Sequence, residues 1–270
     1  MPELPEVETT RRGIAPHIEG KRLSQWLVRE PRLRWPIEPQ WPNLVAGQTV
    51  YRVTRRSKYL VLHLDQGQIL AHLGMSGQFR IVPTGAALEK HDHCDWIMED
   101  GTLIRYRDPR RFGAILYTPD WTTHPLITKL GPEPLSDDFT SEYLYSQLRK
   151  RRGPIKTALM DASLVVGVGN IYANEALFEA GIHPTRACDR ISLARCESLT
   201  AHIKTVLARA IDQGGTTLRD YVSATGQAGY FRIELKVYGR KGEPCVTCAE
   251  PLREIRMAGR STVYCVSCQR

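Results

Sequence analysis

The sequence predicts an α+β chain of more than one domain, and three observations carry that prediction. Residues 21–120 break into short alternating runs such as QTVYRVTRR, YLVLHLD and TLIRYRD, the two-residue period of a half-buried strand. Beyond LGPEPLSDDF the period becomes helical. The tail carries Cys245-x2-Cys248 and Cys265-x2-Cys268, two knuckles separated by 16 residues. With 270 residues and 42% hydrophobic content there is material for two modest cores.

Taken in order, PEVETTRRGIAPHIEG spaces its charged and apolar residues as a short helix does, with Pro5 tolerable in the first turn and Pro16 near the end. QILAHLG, GQFRIV and CDWIMED continue the strand pattern, so the first half reads as a sandwich or barrel. Turn formers without periodicity place a hinge near 130–138. SEYLYSQLRKR, PIKTALMD, IYANEALFEAGI and LARCESLTAHIKTVLARAIDQGG follow at helical spacing, the last closed by a glycine pair. Residues 214–232 mix Gly, Ser, Thr and aromatics and read as a long functional loop. The chain from about 237 reads as a ribbon.

Net charge is +8, and the cations are bunched at 52–58, 105–111 and 149–156. Bunching points to a polyanion partner; the competing reading is a set of solvated faces. No basic segment followed by an apolar run opens the chain, and no stretch approaches the roughly 20 apolar residues of a membrane span. A cytoplasmic protein without a membrane partner is expected. In that compartment four thiolates at this spacing read as one tetrahedral zinc site, with disulfides or a redox centre as the alternative. Cys94, Cys188 and Cys196 lack such spacing and read as small buried residues.

Several stretches carry possible chemistry. VVGVGNIYANEALF sets a glycine-rich turn against a helix that Asn170 caps or begins, a positive helix end able to hold phosphate, although glycine often serves such corners for geometry alone. HLGMSG and DPRRFG look like turns projecting Met75, and Arg110 with Phe112; side chains of that kind either insert into a base stack or lie in a core. Loss of Met1 would leave Pro2 with a free secondary amine, both base and nucleophile. Read singly, Pro2, Glu3 and Lys58 are ordinary.

Read jointly, they are not. PELPEVE, SKYL, HLGMSG, DPRRFG, LGPEPL, GVGNIYANE, QGGTTLRDY, VYGRKGEPC and the terminal cysteines occur in one order, and the chain resembles the bacterial formamidopyrimidine-DNA glycosylases over essentially its whole length. The resemblance implies an α+β multidomain fold. An N-terminal β-sandwich with flanking helices would span 1–130, a helix-two-turns-helix domain with a lesion loop 131–232, and a four-cysteine zinc-finger β-hairpin 236–270. It implies a monomer that acts on damaged double-stranded DNA as glycosylase and abasic-site lyase, through a Schiff base on Pro2.

By the same resemblance Glu3 protonates the sugar, Glu6 helps to hold the terminus and Lys58 donates a proton. Arg260 grips the flanking phosphates, with Arg256 as its competitor. Met75, Arg110 and Phe112 fill the space of the extruded nucleotide, and Arg110 faces the orphaned cytosine. Phosphate contacts are implied for His91, Arg110, Arg151, Lys156, Asn170 and Arg260, with Tyr238 a further candidate and a neighbour able to replace Arg151. The loop after Thr216 closes over the base. Cys245, Cys248, Cys265 and Cys268 hold one structural Zn2+. Leu4 and Phe112 resemble the branch acting on oxidised purines rather than its sister acting on oxidised pyrimidines. A non-catalytic zinc-ribbon binder leaves Pro2-Glu3 unexplained, and a proline-terminal tautomerase needs neither cysteines nor basic clusters.

Overall fold

The computed structural model describes residues 2–214 and 235–270, so the expected lesion loop lies, but for Gly214, outside the described residues. The chain divides into two compact units. The first includes the chain to Thr128 and also Gly214, and the second includes Lys129–Gln213 and the C-terminal segment to Arg270.

In the first unit helix α1 (Leu4–Ile18) precedes strand β1 (Lys21–Val28), the short helix α2 (Trp41–Val45), and strands β2 (Thr49–Arg56), β3 (Tyr59–Leu64), β4 (Gln68–His72), β5 (Gln78–Val82), β6 (Asp92–Met98), β7 (Leu103–Arg107) and β8 (Ala114–Thr118). The strand order is β5-β7-β6-β1-β2-β3-β4-β8, antiparallel throughout. β1 belongs to both layers: Lys21 and Arg22 pair with β2, and Leu23–Val28 pair with β6 after a register shift between Leu23 and Gln25. That irregularity lets one ribbon fold into a β-sandwich. Its core includes Leu60, Leu62, Ile69, Phe79, Trp96 and Tyr106, and α1 adds Val7, Ile14 and Ile18. Phe79 stacks on Trp96 with ring centroids 4.6 Å apart.

The second unit holds α3 (Ser141–Leu148), α4 (Ile155–Leu159), α5 (Asn170–Glu179), α6 (Leu193–Asp212) and the hairpin β9 (Arg253–Met257)–β10 (Arg260–Tyr264). Thr140 caps α3 by accepting the Tyr143 N–H at 3.0 Å, and Ser192 caps α6 by accepting that of Arg195 at 3.3 Å. α6 buries Cys196, Leu199, Ile203, Val206 and Leu207 along one stripe, is C-capped by Gln213 and is followed by Gly214, whose φ is +80°. α5 is buried from Asn170 to Phe178. The hairpin turns through Ala258 and Gly259, both at positive φ, and joins Phe178 in a small core with Val237, Leu252 and Val263. Cys94, Cys188 and Cys196 are buried as expected. Among the described residues no helix is long and apolar enough to cross a membrane.

The bunched arginines do not form one free basic face. Arg105 is buried against Asp95, with Nε 3.0 Å from Oδ1; Arg107 pairs with Glu89, and Arg111 with Glu30 at 3.3 Å. Among the described residues of that cluster, Arg110 alone has no carboxylate partner, and its guanidinium lies 4.9 Å from the Phe112 ring centroid. Arg105 and Arg107 share one face of β7, where carboxylates of neighbouring segments meet them, whereas Arg110 lies beyond the strand on a turn.

Candidate active site and phosphate-binding groups

Pro2, Glu3 and Glu6 are all buried, Glu3 to 1% exposure. Glu3 is the N-cap of α1 in extended backbone, and the Glu6 carboxylate accepts its N–H at 2.8 Å. The spacing Glu3-x-x-Glu6 is that of a capping box, with both acids at the positive end of the helix. Burial alone would raise the Glu8 carboxyl, but Arg11, Arg12 and Arg55 outweigh it and hold Glu8 below the usual carboxylate range. Since Arg55 is on β2, this pair ties the helix carrying the terminus to the sheet, at 3.3 Å.

Lys58 sits with Ser57 in the two-residue turn between β2 and β3. Ser57 adopts a left-handed φ of +56°, and its carbonyl accepts from Arg55 Nη1 at 2.9 Å. Left-handed backbone in a buried serine is strained, and this turn lifts Lys58 out of the ladder. His72, at the end of β4, packs its ring 4.9 Å from that of Tyr59, and its Nδ1 accepts the Gly74 N–H at 3.0 Å. Desolvation, then the charges of Lys58 and Arg34, push its pKa down to about 4 against a weaker opposing pull from Asp108. The unfolded chain therefore binds more protons between about pH 6.5 and pH 4. Stability present above that window falls as pH drops through it, and His72→Gln removes this dependence, measured as Tm against pH.

The two glycine-rich turns are exposed at their tips: Met75 is 37% exposed and Phe112 46%. Their stems are buried. Asp108 accepts from Ser76 Oγ at 2.6 Å and from the Gly113 N–H at 2.8 Å. His91, at φ +76°, accepts the Asp108 N–H through its carbonyl at 3.2 Å. Desolvation, with Lys90, His93, Arg107 and Arg111 nearby, lowers the pKa of His91 from the ordinary histidine value. The first unit thus holds Pro2, Glu3, Lys58, Met75, His91, Arg110 and Phe112.

In the second unit Lys156 is 1% exposed, and its Nζ reaches Asn170 Oδ1 at 2.6 Å, Thr262 Oγ1 at 2.6 Å and the Ser261 carbonyl at 3.0 Å. Asn170 begins α5, and Gly169 is the N-cap. Lys156 therefore joins a helix start to the hairpin rather than extending into solvent. A hollow of about 210 Å³ is lined by Lys156, Thr157, Met160, Asp161, Met257 and Arg260, with Ala258. Arg256 is not among its lining residues; it pairs with Ser261, one position out of phase with the Arg260–Met257 pair. Arg151 is engaged by Asp161 at 3.4 Å and Ser163 at 3.3 Å. Tyr238 is held through its backbone, because the Glu175 carboxylate accepts the N–H groups of Lys236, Val237 and Tyr238 at 2.8, 3.0 and 2.8 Å. Burial nevertheless leaves Glu175 above the usual carboxylate pKa.

The Sγ atoms of Cys245, Cys248, Cys265 and Cys268 all lie within 4.8 Å of one another, with Cys248–Cys265 at 3.4 Å and Cys245–Cys268 at 3.9 Å. Four thiolates about 2.3 Å from one ion span edges of about 3.8 Å, so the cluster fits a single tetrahedral soft metal, and none of the four is in a disulfide. Such a set leaves no open coordination position and serves structure.

Glu175, Asp108 and His72 escaped sequence reading as functional support. Each is one polar residue in an apolar run or turn, and a lone Glu inside ANEALF was the available signal for Glu175.

Comparison with known proteins matches the same regions. Residues 1–115 match the family model for the formamidopyrimidine-DNA glycosylase N-terminal domain, residues 130–222 that for its H2TH domain, and residues 242–270 a zinc finger found in FPG and IleRS. The chain is 54% identical to formamidopyrimidine-DNA glycosylases of Acidithiobacillus ferrooxidans and Escherichia coli, over all of both chains in each case. It resembles the crystal structure of MutM (Fpg) from Thermus thermophilus with a TM-score of 0.89 and 38% identity, covering 99% of this chain and 98% of that one. It also resembles a Lactococcus lactis Fpg mutant in complex with Fapy-dG-containing DNA, with a TM-score of 0.91 and 35% identity over 100% of both chains.

Proposed function

The chain belongs to the formamidopyrimidine-DNA glycosylase family, and from that premise we propose that it is a bifunctional glycosylase and abasic-site lyase of base-excision repair. Its substrate is damaged double-stranded DNA, from which it removes 8-oxoguanine and formamidopyrimidines opposite cytosine. It works as a cytoplasmic monomer. The observation that carries the reading is the buried Pro2-Glu3-Glu6 seat at the start of α1.

Loss of Met1 frees the Pro2 amine. The amine attacks C1′, passing its proton to the Glu3 carboxylate as the N–C1′ bond forms, and the base departs with the electrons of the glycosidic bond and takes up a proton from Lys58. Glu3 then delivers its proton to O4′, the C1′–O4′ bond breaks, and the nitrogen lone pair closes an iminium. Removal of a C2′ proton expels the 3′-phosphate, and a second elimination expels the 5′-phosphate. Lys58 supplies and removes protons at these stages, while Arg260 neutralises the departing phosphate.

Met75, Arg110 and Phe112 occupy the space of the extruded nucleotide, with Arg110 against the cytosine. His91, Arg151, Lys156, Asn170 and Tyr238 position the backbone. Lys156 and Asn170 act as a pair, the buried ammonium presenting the start of α5 to a phosphate. Zinc is the metal of the four-cysteine site, and it folds a ribbon too small to fold alone.

A duplex containing 8-oxoguanine opposite cytosine tests the assignment. A one-nucleotide gap with phosphate at both ends is expected. Faster cleavage of an oxidised pyrimidine would move the chain to the sister branch, and base release without strand cleavage would remove the lyase. Binding is expected to weaken with salt, since four cations contact phosphate: Arg110, Arg151, Lys156 and Arg260. A plot of log affinity against log salt then has a slope of about −3 to −4. A flat response contradicts the phosphate assignment.

A further inference from the structure

We propose that Asp108 is the positioning residue that locks the turns at 72–77 and 108–113 into one wedge, so that Met75, Arg110 and Phe112 enter the duplex as a unit. This rests on the reading that those three side chains fill the vacated space. Asp108 is 0% exposed, and among the described residues no cation pairs with it. Its carboxyl oxygens are met by neutral donors from both turns and from Tyr106 on β7. Oδ1 accepts from Ser76 Oγ at 2.6 Å and from the Arg110 N–H at 3.3 Å; Oδ2 accepts from the Gly113 N–H at 2.8 Å and from Tyr106 Oη at 3.1 Å. Ser76 Oγ also accepts the Arg110 N–H, at 3.2 Å. One carboxylate therefore holds the residue after Met75 together with the backbone on either side of Phe112.

The two turns also touch backbone to backbone. Gly74 has φ +63°, and a Cβ there would lie 2.4 Å from the Phe112 carbonyl carbon and 2.5 Å from the Gly113 nitrogen. A Cβ on Gly113 would lie 1.8 Å from the Tyr106 hydroxyl, and one on Gly77 2.5 Å from the same atom. Glycines bring the turns together and the Tyr106 hydroxyl fills the junction. The projecting side chains are exposed, so packing fixes them little and their direction follows the backbone that Asp108 holds. An apolar residue at 108 would leave the Gly113 and Arg110 N–H groups without this acceptor.

Asp108→Asn replaces one acceptor oxygen with a donor, and whichever way the amide turns, one turn loses its acceptor. Three variants, Asp108→Asn, Ser76→Ala and Phe112→Ala, are compared in single-turnover excision of 8-oxoguanine opposite cytosine and opposite adenine. The fluorescence of 2-aminopurine beside the lesion reports opening, and cleavage at a preformed abasic site reports the chemistry. Asp108→Asn is expected to slow opening and excision by about tenfold to a hundredfold and to erode the preference for cytosine, with abasic-site cleavage changed far less. Ser76→Ala moves the same readouts less. If Phe112→Ala slows opening while folded Asp108→Asn keeps both rate and preference, the locking role is overturned and the wedge reading stands. If Phe112→Ala leaves opening unchanged, the wedge reading itself fails and the locking role with it. Should Asp108→Asn not fold, Ser76→Ala decides, and wild-type opening and preference in that variant overturn the proposal.

Discussion

Pro2→Gly is expected to lower strand cleavage at 8-oxoguanine by about a hundredfold or more while binding to the same duplex is retained. Glycine still offers an amine, so the loss is one of placement rather than of chemical capacity. Pro2 is buried, and its ring closes the amine nitrogen back onto its own side chain, which fixes rotation about the N–Cα bond; glycine lacks that ring and frees the amine to take directions from which C1′ cannot be reached. Glu3→Gln provides the companion measurement. It keeps an acceptor oxygen at the N-cap but cannot deliver a proton to O4′, and a loss of about 10²- to 10⁴-fold is expected in single-turnover cleavage. A wild-type rate in Pro2→Gly would show that the ring does not place the amine, and one in Glu3→Gln would place the acid elsewhere.

Cys245→Ser carries the second large effect, and it acts through folding. The hairpin has two five-residue strands and a core of a few side chains, so metal binding supplies most of its stability, on the order of 10–16 kcal/mol in comparable zinc-finger peptides. When the ribbon loosens, Lys156 loses Ser261 and Thr262 as acceptors, and Arg260 loses the strand that directs it. A fall of about a hundredfold or more in DNA affinity is expected, following the joint loss of the phosphate contacts proposed for Lys156 and Arg260, with bound zinc absent by elemental analysis. The sandwich should stay folded, because the hairpin belongs to the other unit. Wild-type affinity in a metal-free variant would contradict the structural role.

The strands β2 to β7 were legible because their short apolar runs are broken by Gly, Asp and Pro, although β3, β4, β6 and β7 are buried along most of their length rather than at every second residue; the cysteine cluster was legible because four thiolates at that spacing have few other uses. β1 was harder to see. Its buried residues Leu23 and Trp26 are three apart, since the register shift that bends the ribbon also breaks the two-residue period. α5 has no polar stripe, so its burial on all sides does not register as amphipathic periodicity. Charge bunching overstated the free basic surface, because carboxylates distant in sequence claim Arg105, Arg107 and Arg111. Met75 and Phe112 could equally have been core residues on composition, and only the fold shows them at exposed tips. Glu175 and Asp108 leave no spacing pattern because most of their partners are backbone N–H groups; those that meet Glu175 lie more than sixty residues along the chain.

Borohydride reduction of the protein on a duplex containing 8-oxoguanine opposite cytosine, followed by peptide mapping of the cross-link, tests the central chemistry most directly. The account predicts one covalent adduct, on the nitrogen of Pro2 in chains lacking Met1. Cross-linking at a lysine, or full excision by chains that retain Met1, would contradict it.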